Sequence, residues 1–266
     1  MTIKTIIFDL DDTLLSDSAA VQLAFERTTA FVAEKFPQVE AKILEEALRK
    51  RAIDLFSTYD FYDFTVQIGI SPFEGLWGEF SDQTLRFPEM ARQINAYRQI
   101  VWTTALADVG ISDRRLVKLL SLMFIAIRME NSISYEDTYA TLAHLYETYQ
   151  LILLTNGAPS LQNLKLNKAP KFRKYFDKII ISGDFGKGKP SLEIFDFAIS
   201  RAKADKKTSV MVGDNLFTDI LGANTSGIRS IWLNRDNLPA NEAVTPDFTV
   251  TSLTEVVELV EKENGN

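Results

Sequence analysis

The stretch "TIIFDLDDTLL", residues 5–15, drives an apolar run straight into Asp9, Asp11 and Asp12. Carboxylates that close together repel, and burying any of them is costly unless a cation or hydrogen bonds compensate. Matching chemistry appears further along the chain. "LLTNG" sets Thr155, Asn156 and Gly157 after an apolar run, offering a hydroxyl, an amide and a backbone N–H. "GDNLFTD" sets Asp214 and Asp219 after another such run, and "GKGKP" contributes Lys187 and Lys189. The set is oxygen ligands, neutral donors and a cation. Hard oxygen ligands suit Mg²⁺, and Mg²⁺ commonly works with phosphate. The clustered acids are therefore expected to surround a divalent ion.

Composition removes the main competitors. The chain has 266 residues and no cysteine, which excludes disulfides, thiolate metal sites and cysteine nucleophiles. It has one histidine, His144, so a multi-histidine metal site is impossible and a serine–histidine triad is disfavoured. His144 itself lies on an amphipathic helical pattern and reads as a surface or boundary residue. Lys and Arg number 29 against 36 Asp and Glu, a net charge of −7 that argues against a nucleic-acid or acidic-membrane partner. No signal-like segment and no apolar run of ~18 residues is present, so a cytoplasmic protein without a membrane partner is expected.

The elements that must position these residues fall into two textures. "LILL" (151–154), "KIII" (178–181), "SVMV" (209–212) and "SIWL" (230–233) read as buried strands separated by helical patterns, and "IKTIIF" matches them at the N-terminus. Such runs alternating with helices indicate a parallel sheet covered on both faces. The fold class expected is α/β, a doubly wound, mostly parallel sheet with an inserted helical cap. Three stripes mark the insertion: Val21, Phe25, Thr28, Val32 and Phe36; Leu44, Leu48, Ala52 and Leu55; Leu116, Leu119, Met123 and Ile127. The expected division is 1–15 with 132–266 for the core and 16–131 for the cap. Ser16–Asp17–Ser18 and the stretch Asn131–Ser134 are its expected hinges.

In order and spacing these motifs resemble those of the haloacid dehalogenase (HAD) superfamily with a C1-type helical cap. "DLDDT" is similar to the first motif, Thr155 in "LLTNG" to the second, Lys189 in "KGKP" to the third, and Asp214 with Asp219 in "GDNLFTD" to the fourth. "LLTNG", "KPSLEIF" and "WLNR" look most like the branch containing N-acylneuraminate-9-phosphatases, bacterial nucleotidases and small-metabolite phosphatases. The resemblance implies a phosphatase that hydrolyses a small phosphorylated metabolite through an aspartyl-phosphate. Asp9 would be the nucleophile and Asp11 the acid and base. Thr155, Asn156, Gly157 and Lys189 would hold phosphate. Asp9, Asp11 (through its main-chain carbonyl), Asp214 and Asp219 would form the Mg²⁺ site, Asp219 acting through water or by orienting Lys189. The chain would work as a monomer or homodimer.

Rival readings stand beside these. A phosphomutase of the β-phosphoglucomutase type needs the same acids, and a non-catalytic regulatory protein could keep the same fold. Asp214 could merely cap the helix starting near Leu216, Asp219 could answer that helix's dipole, and Asp12 could cap a turn. Lys187 rivals Lys189, although the family pattern puts its lysine directly before proline. The stretch 56–80 holds eight aromatics, which either pack the cap's own core, make a subunit contact, or line the mouth of the site. Arg98 and Arg128 are expected at the surface, with a substrate carboxylate as the alternative partner.

Overall fold

A computed structural model describes residues 2–131, 133–169 and 171–265. The chain separates into two compact units, Met1–Ser16 with Ser134–Asn266, and Asp17–Ile133. No helix is long and apolar enough to cross a membrane, among the described residues.

The helical unit contains α1 (Asp17–Lys35), α2 (Ala41–Phe56), α3 (Tyr62–Ile68), α4 (Pro72–Gly75), α5 (Phe87–Asp108) and α6 (Arg114–Glu130). The α1 stripe holds from Val21 to Val32, but Phe36 lies past the helix end and is half-buried, and Phe56 rather than Leu55 closes the buried face of α2. The α6 stripe is corrected. Its buried face runs through Leu116, Leu120, Phe124 and Ile127, while Leu119 is 47% exposed. Val117, Leu122 and Leu119 are also apolar, so several helical phases fit the pattern and only the neighbours choose between them. Phe124 meets Phe25 and Trp102 edge-on, at centroid distances of 4.9 and 6.1 Å. The aromatic-rich stretch also turns inward, with Phe56, Phe61, Phe64, Trp77 and Phe80 buried. Phe56 packs against Phe61 and Tyr97 at 5.8 and 5.3 Å. Those five therefore build this unit's own core.

The two arginines expected at the surface are buried. Arg98 donates to the carbonyls of Gly75 and Gly78 at the end of α4 and pairs with Glu79. Arg128 pairs with Asp17 and lies 4.4 Å from the Trp77 ring centroid. Arg98 is hydrogen-bonded and ion-paired inside the unit, and Arg128 has the Asp17 charge and the Trp77 ring to offset its burial, although its Nε has no hydrogen-bond partner among the described residues. Of the three residues expected to form the first hinge, Asp17 and Ser18 belong to α1, which counts against that expectation. The second includes Ser132, which lies outside the described residues; Ser134 forms a bridge to Leu15.

The other unit is the α/β layer. Its strands are β1 (Thr5–Phe8), β2 (Gln150–Thr155), β3 (Lys178–Ile181), β4 (Ser209–Gly213), β5 (Arg229–Leu233) and β6 (Phe248–Val250). Among the described residues they form one sheet, ordered β3-β2-β1-β4-β5-β6, with every neighbouring pair parallel. The helices of this unit are α7 (Thr138–Tyr146), α8 (Pro159–Lys168), α9 (Ser182–Phe185), α10 (Leu192–Ala202), α11 (Leu221–Ser226) and α12 (Leu253–Asn264). Alternation along the strands feeds two cores. Ile6, Phe8, Leu151, Leu153, Val210 and Val212 pack with residues of α7 and α12, while Ile7, Ile152, Leu154 and Met211 pack with α10. β6 escaped sequence reading because it has three residues with only Val250 buried. His144 on α7 is exposed beside Glu261, as expected.

The corrected α6 phase is testable. Phe124→Ala should destabilise the protein by about 3–5 kcal/mol through cavity formation. Leu119→Ala should stay within about 0.5 kcal/mol. Denaturation midpoints of the two variants would check this, and equal losses would return the face to the 119/123 phase.

Candidate active site

Register sets the site. Phe8 of β1 pairs with Leu153 of β2 on one side and Val212 of β4 on the other. Asp9, Thr155 and Asp214 thus emerge at neighbouring carboxyl ends of three central strands. The chain winds one way from β1 through β2 to β3, then crosses to β4 and continues outward. Asp9 and Asp214 flank that reversal, where open α/β sheets bind ligands.

One carboxylate oxygen each from Asp9, Asp214 and Asp219 lies within 4.8 Å of the others. Lys189 is buried among them, its Nζ 2.5 Å from Asp9 Oδ1 and 2.7 Å from Asp219 Oδ1. Two of the three acids, Asp9 and Asp219, thus share one ammonium. Burial is the main force raising the Asp9 carboxyl, to about 7; the Asp219 and Asp11 charges add to it, and Lys189 opposes it. Burial likewise leads in raising Asp214 to about 8, followed by the Asp219, Asp9 and Asp12 charges. For Lys189 burial works downward, but Asp219 and Asp9 overcome it and hold the ammonium above its usual range. A cluster of oxygen donors with surplus negative charge and no nitrogen or sulfur ligand fits a hard divalent cation such as Mg²⁺.

Local sequence explains the convergence. Gly213 ends β4, and a Cβ there would overlap the Asp219 carboxylate, so only glycine allows that approach. The following π-helical turn, Leu216–Ile220, is capped by Asn215, whose Oδ1 accepts from Phe217 and Thr218 N–H at 2.9 and 3.2 Å. Asn215, not Asp214, is therefore the cap. Asp214 instead accepts from Thr13 Oγ1 at 3.1 Å. Asp12 has a left-handed φ of 59° and donates its N–H to Leu15 O, the turn role considered for it. Lys187 is half-buried and paired with Glu193 rather than with the acids of the cluster.

Around Thr155 the arrangement differs from a simple row of open donors. Asn156 accepts from Lys189 N–H with Oδ1 at 2.8 Å and donates from Nδ2 to Lys189 O at 2.9 Å. Its side chain therefore clamps the lysine's backbone. The Gly157 N–H donates to Ser182 Oγ at 2.9 Å, so it is not the unencumbered donor the sequence suggested. Thr155 Oγ1 accepts from Gln162 Nε2 at 2.6 Å.

Asp11 turns away from the trio: its Oδ2 accepts from Lys165 Nζ and Gln162 Nε2, each at 2.8 Å. Thr13, Gln162 and Lys165 are the polar residues of the site that sequence reasoning passed over. Thr13 stands inside the quoted "DLDDT". Gln162 and Lys165 carried a readable signal as well, being polar residues at i, i+3 on a helix that follows a ligand-bearing strand end.

With this geometry in view, the family is plain. The model of the haloacid dehalogenase-like hydrolases matches residues 3–227, and the chain belongs to that family. It is 33% identical over 256 residues to a phosphoserine phosphatase of Thermus thermophilus, covering 95% of this chain and 97% of the relative. Among solved structures it is similar to the HAD-hydrolase YfnB of Bacillus subtilis bound to magnesium, with a TM-score of 0.66, 21% identity and coverage of 98% and 99%. It is also similar to the L-2-haloacid dehalogenase of Xanthobacter autotrophicus, with a TM-score of 0.62, 19% identity and coverage of 98% and 99%. At such identities the structural likeness speaks for the fold.

The crowded acids set a pH dependence. An acid with a raised folded-state pKa contributes stability that is complete below its unfolded value, 3.8, and is lost as pH climbs through the folded values of about 7 and about 8. In chelator, the wild type should therefore lose melting temperature between pH 5 and pH 8. Asp214→Asn should lose less, because one of the titrating groups is gone. Added Mg²⁺ should recover the wild type at the higher pH and the variant poorly. Parallel melting curves for the two proteins, with no response to Mg²⁺, would refute the crowding account.

Proposed function

We propose that this protein is a Mg²⁺-dependent phosphatase acting on a small phosphorylated metabolite through phosphorylation of Asp9. The observation that carries the reading is the cluster of Asp9, Asp214 and Asp219 around Lys189 at the carboxyl end of the sheet. The phosphoserine phosphatase relative, matched over nearly its whole length, supports a phosphate ester as the substrate class. Asp11 favours ester hydrolysis over dehalogenation, because a departing alkoxide and an attacking water both need a group that gives and then takes a proton.

Asp9, Asp214 and the Asp11 main-chain carbonyl are the proposed ligands of Mg²⁺, with Asp219 acting through Lys189, which it contacts at 2.7 Å. Mg²⁺ when bound supplies charge neutralisation that lets a carboxylate meet an anionic phosphate. The phosphate oxygens meet the Lys189 ammonium, the Thr155 hydroxyl and the Asn156 main-chain N–H. An Asp9 carboxylate oxygen forms a bond to phosphorus as the ester P–O bond breaks, and Asp11 gives its proton to the leaving oxygen. Asp11 then takes a proton from water, whose oxygen attacks the phosphorus and releases phosphate and the Asp9 carboxylate. Uncatalysed monoester hydrolysis is slow enough that enzymes reach enhancements of ~10²¹-fold, so preorganised positive charge at this site is required. The helical unit is proposed as the cap that selects the alcohol portion of the substrate.

Phosphate release from p-nitrophenyl phosphate and from a panel of metabolite monoesters, with and without Mg²⁺, tests the proposal. Mg²⁺-dependent release is expected. Asp9→Asn should reduce it by about three orders of magnitude or more, as loss of a nucleophile does elsewhere, without lowering the melting temperature. Absence of release from every ester would overturn the reading.

A further inference from the structure

Lys165 is the second buried lysine of the α/β unit, only 3% exposed, and the mechanism above gives it no task. Placing an ammonium in the interior is unfavourable unless its partners are well arranged. Lys165 donates to Asp11 Oδ2 at 2.8 Å. Gln162, fully buried one turn earlier on α8, places Nε2 at 2.8 Å from the same oxygen and at 2.6 Å from Thr155 Oγ1. Two donors from one helix face thus converge on a single oxygen of the residue that moves protons. One of them also ties that residue to the hydroxyl proposed to orient phosphate.

Resting on the phosphatase reading of the site, we propose that Gln162 and Lys165 are positioning residues for the proton-transfer step. Neither an ammonium nor an amide N–H can accept a proton. With both engaged on Oδ2, the proton that Asp11 carries resides on Oδ1, and the carboxyl plane is held at Oδ2. The Gln162 bridge keeps Asp11 in fixed relation to Thr155, so phosphate seated on Thr155 presents its ester oxygen at one distance from the acid. Proton transfer requires hydrogen-bond reach, and misplacement by about 1 Å can cost ~10²-fold in rate.

Leaving-group dependence separates positioning from mere support of the fold. Phenyl phosphate releases a weakly acidic phenol and needs the proton from Asp11, whereas p-nitrophenyl phosphate releases a far more acidic one and needs it little. The ratio of kcat/KM for the two esters is independent of how much of a variant is folded, and it covers the steps up to departure of the phenol. Lys165→Met should lose at least about tenfold more on phenyl phosphate than on p-nitrophenyl phosphate, a fraction of the 10²–10⁴ typical of acid catalysis. Lys165→Arg should restore most of the ratio by returning a donor, and Gln162→Leu should shift it in the same direction as Lys165→Met. Equal losses on both esters, or none on either, would overturn the positioning role while leaving the phosphatase reading intact. Wild-type inactivity toward both of these esters and every metabolite monoester of the panel would overturn the phosphatase reading itself and this inference with it.

Discussion

Everything in the α/β unit is arranged around surplus negative charge at the carboxyl edge of a parallel sheet. Three acids and one lysine are brought to a place where water is largely excluded, and their mutual repulsion is unfavourable in isolation. A fold driven by stability alone would separate such groups or exchange them for apolar residues of similar volume, which is often neutral or stabilising. Here the strain is held by covalent and packing constraints. Asp9 and Asp214 leave neighbouring strands whose register is set by two apolar cores, and they cannot move apart without breaking the sheet.

The supporting details read as consequences of that constraint. Gly213 is small because Asp219 must come in over it, and the turn carrying Asp219 is widened to a π-helical turn. Thr13 lies between the acids, hydrogen-bonding with Asp214 through both that residue's side chain and its N–H at 3.1 Å. Asn156 fastens the backbone of Lys189 from both sides, so the ammonium is aimed by a neighbour that does not carry the charge itself. The two buried lysines divide the acids between them. Lys189 serves Asp9 and Asp219, and Lys165 serves Asp11. A nucleophile and a proton carrier two residues apart in sequence are thereby given different electrostatic surroundings.

The helical unit solves a different problem. Its helices, among them the short α3 and α4, must enclose a core of their own. Large rings fill the gaps that short elements leave, and Arg98 satisfies carbonyls at the end of α4 that have no helical partner. The aromatic density between Phe56 and Phe80 therefore reflects in large part a shortage of regular helix to pack.

The parallel sheet was legible from five apolar runs because strands buried on both faces have almost no freedom in composition. The acids, Thr155 and Lys189 were legible because each directly follows such a run or stands in a short motif, where chain position nearly dictates spatial position. Less could be read where several arrangements satisfy the same pattern. The phase of α6 depended on which neighbours fill the interior, and burial of Arg98 and Arg128 depended on carbonyls and acids distant in sequence. β6 was too short to leave a periodic signature. The sequence by itself determined which chemical groups gather at the sheet's edge, since strand order and strand ends follow from local pattern. Only the tertiary structure decided what each group touches: Lys165 on Asp11, Asn156 on Lys189, Asn215 in place of Asp214 as the cap. Those pairings are matters of a few tenths of an ångström between side chains from separate elements, and residue spacing carries no information on that scale.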